Sequence, residues 1–137
     1  MRRIGDCKVE EVMSRNVITV ESGTSLKDLK GKFEEYDFNA FPVVDGDRMV
    51  GIVTKIDLFK AFTTGRKFSR SDVWDLFAEA VKDVMRKAVI SVNPDDSIKL
   101  ATEYMVEFKL RSLPVIEGGR LVGMISRRDI IECLEFE

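Results

Sequence analysis

The sequence predicts an α+β (α/β) fold built from two copies of one strand–helix–strand–strand–helix unit, and three observations carry that prediction. First, residues 9–62 align without a gap to residues 81–134 at an offset of 72. Sixteen of the 54 aligned positions are identical, among them Val12, Met13, Val17, Ile18, Val20, Ser25, Pro42, Val43, Gly46, Gly51 and Asp57. A duplication of this kind governs the fold. Second, each copy holds a tight-turn signal between two apolar runs, Asp45-Gly46-Asp47-Arg48 in one and Glu117-Gly118-Gly119-Arg120 in the other. Third, each copy closes on Gly-x-x-Thr/Ser-x-x-Asp, running from Gly51 to Asp57 and from Gly123 to Asp129.

The elements follow in order within each copy. Val17-Ile18-Thr19-Val20 and Val89-Ile90-Ser91-Val92 are β-branched runs that suit short strands. Thr24 and Asp96 are cap-type residues ahead of helices that reach about Tyr36 and Phe108. Leu26, Leu29, Phe33 and Tyr36 share one face of the first helix, and Ile98, Ala101, Met105 and Phe108 share one face of its partner. Gly31 weakens the first helix for no reason visible in the sequence. Phe41–Val44 and Met49–Val53 then form a hairpin, as do Leu113–Ile116 and Leu121–Ile125. Pro42 and Pro114 sit at strand starts, where a missing N–H is tolerated. A last helix, Ile56 to about Phe62 or Ile130 to about Leu134, ends each unit.

The domains are therefore a first repeat at 9–62 and a second at 81–134, with an inter-repeat loop and linker helix at 63–80. Residues 63–70 read as a basic loop, either solvated or a lid for phosphate. Val73, Trp74, Phe77, Val81 and Val84 make an apolar stripe on the helix that follows. That stripe suits packing onto its own domain or docking a partner chain.

Composition narrows the function. The 137 residues suit one compact unit burying roughly two-thirds of its unfolded surface. A net charge of −2 argues against nucleic-acid binding, which needs a basic face. No apolar run approaches the roughly 18 residues of a membrane span, and the start lacks the apolar segment of a signal peptide. The expected location is cytoplasmic. Cys7 and Cys133 lack metal-ligand spacing and are expected as free thiols. With no histidine anywhere, Ser-His-Asp, Cys-His and His-based metal chemistry are all removed. No enzyme activity, metal or catalytic cofactor is expected.

The closing heptads are the candidate site. A strand that stops at a hydroxyl residue, with a helix starting there, aims free backbone N–H groups and a positive helix end at one spot, which suits phosphate. A carboxylate three residues on suits the hydroxyls of a sugar. The same spacing is also a capping box, which needs no ligand, although the usual partner is Glu or Gln and here it is Asp. The residues alone leave both readings open.

Two such units, each with a Pro-Val strand and a Gly-x-x-Thr/Ser-x-x-Asp end, resemble the cystathionine-β-synthase (CBS) domain, whose tandem pair is called a Bateman module. The resemblance covers both repeats, with no catalytic domain left over, and implies repeats packed about a pseudo-two-fold axis. It implies a regulatory module that binds adenosine-containing ligands: AMP, ADP, ATP, or S-adenosylmethionine or NAD species. It places Asp57 and Asp129 on ribose, and Thr54 and Ser126 on phosphate. It implies pockets shared between repeats, with Thr54, Lys55 and Asp57 facing Met85, Ala88, Ile90, Leu110 and Arg111. Ser126, Arg127 and Asp129 would face Met13, Asn16, Ile18, Phe38 and Asn39. Arg111 would favour an added phosphate in the first pocket, where the second has Asn39. Ile18 and Ile90 suit an adenine sandwich or plain core equally. A homodimer is expected, paired through the apolar residues Leu58, Phe59, Phe62, Ile130, Ile131 and Leu134. The module would report energy or metabolite state to a regulated partner protein. The alternative is a structural, dimerising module with vestigial pockets.

Overall fold

The computed structural model describes residues 7–63 and 79–135. These fall into two compact units, one running up to Val17 and resuming at Ile90, the other spanning Ile18–Val89. The unit boundaries do not follow the repeat boundaries. Each unit holds the body of one repeat together with the lead-in segment of the other.

In the Ile18–Val89 unit, helix α2 is Leu26–Glu35, strands β1 and β2 are Ala40–Asp45 and Arg48–Thr54, and helix α3 is Lys55–Thr63. In the other unit, α1 is the single turn Val9–Val12, α4 is Ile98–Glu107, β3 and β4 are Ser112–Glu117 and Arg120–Ser126, and α5 is Arg127–Glu135. β1 pairs antiparallel with β2 and β3 with β4, with register shifts at the matching places Val43/Val44 and Val115/Ile116. In the second turn Gly118 and Gly119 both take positive φ, 59° and 81°. A two-residue turn with both φ positive follows the right-handed strand twist, and glycine adopts it without steric cost.

The helix caps are one residue later than expected. Ser25 and Ser97, not Thr24 and Asp96, accept the amides of Asp28 and Leu100, each at 3.1 Å. The carbonyls of Thr24 and Asp96 are used instead by the lead-ins, from the Val81 and Val9 amides, each at 2.8 Å. Leu26, Leu29 and Phe33 face the core as the spacing implies, as do Ile98, Ala101 and Met105. Phe108 is exposed and meets Tyr104 edge-on. α5 starts at Arg127, three residues before the expected Ile130.

The expected first strands shrink to one bridging residue each, Val20 beside Val43 and Val92 beside Val115, both parallel. The Val20 amide donates to Pro42 O at 3.1 Å and the Val44 amide to Val20 O at 2.8 Å. One further step back along that ladder requires a donor at residue 42, and proline has none. Pro114 stops the ladder at Val92 in the same way.

The apolar stripe expected on the linker helix is cut short. Residues Val73, Trp74 and Phe77 lie outside the described residues, as does the basic loop beyond Thr63. Ala80 is extended and bridges to Ser25, and Leu26 N–H donates to Glu79 O at 2.8 Å, so no helix runs through 79–80. Val81 opens a single 3-10 turn, Val81–Asp83, that Val84 caps, and both valines pack into the core with Leu26, Phe41 and Val53. Val9 takes the matching place in the other unit, among Ile98, Leu113 and Ile125. Cys7 belongs to that core, Cys133 packs against it, and neither is in a disulfide.

Candidate functional site

The chain leaves β2 at Thr54 and enters α3 at once. Thr54 N–H donates to Asp57 Oδ2 at 2.9 Å, and Asp57 N–H donates back to Thr54 Oγ1 at 3.1 Å. The same pair of bonds joins Ser126 and Asp129, at 2.9 and 3.1 Å. Both heptads are thus reciprocal capping boxes, with Asp in the place usually held by Glu or Gln.

A loop residue flanks each helix start. Lys55 N–H donates to Asn39 O at 3.0 Å, and Arg127 N–H to Arg111 O at 2.9 Å. Among the described residues the intervening amides of Ile56 and Arg128 have no partner. Each helix therefore presents one uncommitted donor at its positive end, beside a carboxylate.

The second box is more open than the first. The Thr54 hydroxyl also donates to Asp57 Oδ2 at 2.9 Å, and Arg86 Nε donates to Asp57 Oδ1 at 3.1 Å. Asp57 is 6% exposed, while Asp129 is half-buried. Arg86 arrives on the lead-in of the second repeat, locked to β2 by paired bonds with Ile52 at 2.8 and 2.9 Å. Ser14 holds the matching place against Met124, at 2.8 and 2.9 Å. Sequence reasoning passed over Arg86 and Ser14. Their signal was available, since they are one of the few repeat-mate pairs that trade a cation for a small neutral residue.

The other expected residues are distributed as follows. Thr54, Lys55, Asp57, Met85, Ala88, Ile18, Phe38 and Asn39 belong to the Ile18–Val89 unit; Ser126, Arg127, Asp129, Met13, Asn16, Ile90, Leu110 and Arg111 belong to the other. Met85 and Ile18 pack against one core, Met13, Ile90 and Leu110 against the other. Ala88 and Asn16 are exposed. Phe38 is 43% exposed and stacks on Tyr36 with ring centres 5.5 Å apart. Arg111, expected opposite Thr54 and Lys55, is joined through its carbonyl to Arg127, whose Nε also donates to Leu110 O at 2.9 Å. Asn39 is joined to Lys55 in the same manner. Among the described residues no group of three or more His, Cys, Asp or Glu side chains is arranged to hold a metal.

A duplicated capping-box site on paired strand-helix units defines a class of tandem-repeat proteins, and a family match makes the class definite. The CBS domain model matches residues 9–64 and 81–135, and the chain belongs to the CBS domain family. The AcuB protein of Vibrio cholerae is similar in structure, with a TM-score of 0.79, 30% identity, and coverage of 95% of this chain and 91% of that one. CBSX2, solved in complex with AMP, is similar in fold at a TM-score of 0.79 and 23% identity, covering 94% of this chain and 96% of that one. An inosine-5′-monophosphate dehydrogenase of Korarchaeum cryptofilum is 30% identical over 90% of this chain, which spans 23% of its length. The chain covers 32%, 23% and 13% of the lengths of the first curated relatives it matches. Relatives with enzyme names are thus larger proteins matched only in part. No described helix is long and apolar enough to cross a membrane.

Proposed function

We propose that the chain is a regulatory module that binds adenosine-containing nucleotides and passes their level to a partner protein, without chemistry of its own. The observation that carries this reading is the repeated juxtaposition of a helix-start carboxylate with an uncommitted helix amide, at Asp57 with Ile56 and at Asp129 with Arg128. A carboxylate accepts two ribose hydroxyls, and the amide with the adjacent hydroxyl suits a phosphate. AMP bound to CBSX2, a protein of the same fold, supports the ligand class. ADP, ATP, S-adenosylmethionine and NAD remain within it. Ligand would regulate by favouring one conformation of the module over another. The working location is the cytoplasm.

Thermal melting with adenine nucleotides tests the reading, because ligand at 100 times its dissociation constant stabilises by about 2.7 kcal/mol. Asp57→Ala and Asp129→Ala should each lower affinity at one site tenfold or more, since a charged hydrogen bond contributes about 1.5–3 kcal/mol. The fold should survive a capping loss of about 1 kcal/mol.

A structural, dimerising module is the second reading, and the exposed apolar residues Ile56, Phe59, Ile131 and Leu134 favour it. The expected homodimer is compatible with both. Loss of stability in both Asp variants, with no nucleotide effect in either, would select the structural reading.

A further inference from the structure

We infer that Arg86 makes the two nucleotide sites unequal. The site at Asp129 accepts an uncharged adenosine moiety, whereas the site at Asp57 admits only a ligand whose anionic group takes over the Arg86 guanidinium. This rests on the adenosine-ligand reading above and assigns a ligand class to each of its sites.

Acceptor capacity is the first ground. A carboxylate has about four lone-pair positions. On Asp57 three are filled, by Thr54 N–H, Thr54 O–H and Arg86 Nε–H. On Asp129 one is filled, by Ser126 N–H, among the described residues. A vicinal diol that donates two hydroxyl protons to one carboxylate needs two open positions. Asp129 has them. Asp57 has them only when Arg86 lets go.

The hydroxyls differ in the same sense. The Thr54 proton is spent on Asp57, while Ser126 has no such bond and its proton is available to a ligand oxygen.

Charge decides what can replace Arg86. Its side chain is 53% exposed and its terminal nitrogens have no other partner among the described residues, so it is free to pivot. Its backbone is pinned to Ile52, so it cannot leave the helix start. A guanidinium displaced from a carboxylate there is matched again by a phosphate, which it binds through two parallel bonds, and by nothing on neutral adenosine. The cations of the other unit do not play this part. Arg127 Nε donates to Leu110 O and Arg128 Nε pairs with Glu132, and Asp129 is touched by neither.

The test is calorimetric titration of the full chain with adenosine and with AMP. In Asp129→Ala, which leaves the Asp57 site alone, AMP should bind and adenosine should bind at least tenfold more weakly. Adding Arg86→Ser should raise adenosine affinity about tenfold and lower the AMP-to-adenosine ratio by at least as much. Arg86→Gln gives the same reading should the serine variant fail to fold. In Asp57→Ala, Ser14→Arg should do the reverse, weakening adenosine and raising the ratio. An unchanged ratio in both directions, or equal losses of adenosine and AMP on replacing Arg86, would overturn the inference while leaving nucleotide binding intact. A folded wild-type chain that binds neither ligand would overturn the functional reading, and this inference with it.

Discussion

The carbonyl of Arg86 lies so close above Gly51 that a Cβ on the glycine would stand 2.7 Å from its oxygen and 2.8 Å from Met85 Sδ. Gly123 stands in the same relation to Ser14 O, at 2.8 Å, and to Met13 Sδ, at 2.6 Å. These glycines are what allow the lead-in of one repeat to bridge onto the strand of the other. Gly51→Ala and Gly123→Ala should each destabilise by about 1–3 kcal/mol, since the obstructing atom is backbone and cannot rotate away. Urea unfolding reads this directly. At Gly51 the loss should also move Arg86 off Asp57.

Gly31 is the contrasting case. It sits inside α2 on an exposed face, with nothing within 4 Å of a built Cβ. Gly31→Ala should stabilise by about 0.5–1 kcal/mol, through a less flexible unfolded chain and better helix propensity. A midpoint shift to higher denaturant with an unchanged slope is the expected result.

The one-residue displacement of the caps can be read by substitution. Ser25→Ala removes the acceptor of the Asp28 amide and should cost about 1 kcal/mol. Thr24→Ala removes no described side-chain hydrogen bond and should change stability by less than about 0.5 kcal/mol. Equal costs would show that the cap is shared.

The closing helices separate core from surface. Ile130 is 5% exposed and Leu58 half-buried, whereas Phe59 is 65% and Ile131 57% exposed. Phe62 lies outside the described side chains. If the module pairs through these helices, Phe59→Glu and Ile131→Glu should leave the fold intact and give a 15.6 kDa monomer in sedimentation. Phe41→Ala, in the core, should instead cost about 3–5 kcal/mol whatever the assembly. A wild-type chain already monomeric at tens of micromolar would rule the pairing out.

Much of this protein was legible in the sequence because its signals are local. The apolar run Phe41–Val44, the Gly118-Gly119 turn, the buried faces of α2 and α4, and the hydroxyl-x-x-Asp boxes each depend on residues a few positions apart. Duplication then stated each signal twice. Which lead-in packs with which repeat body was decided by the tertiary structure. Backbone bonds between residues far apart, such as Leu26 with Glu79 and Ile98 with Cys7, exchange the lead-ins, and no periodicity within a segment encodes them. That exchange brings Arg86 to Asp57 across 29 positions of sequence and leaves Ser14 as its neutral mate. The boxes were fixed by spacing alone. Which carboxylate is occupied and which is open depended on where a distant segment packs, because a hydrogen bond is set by proximity in space.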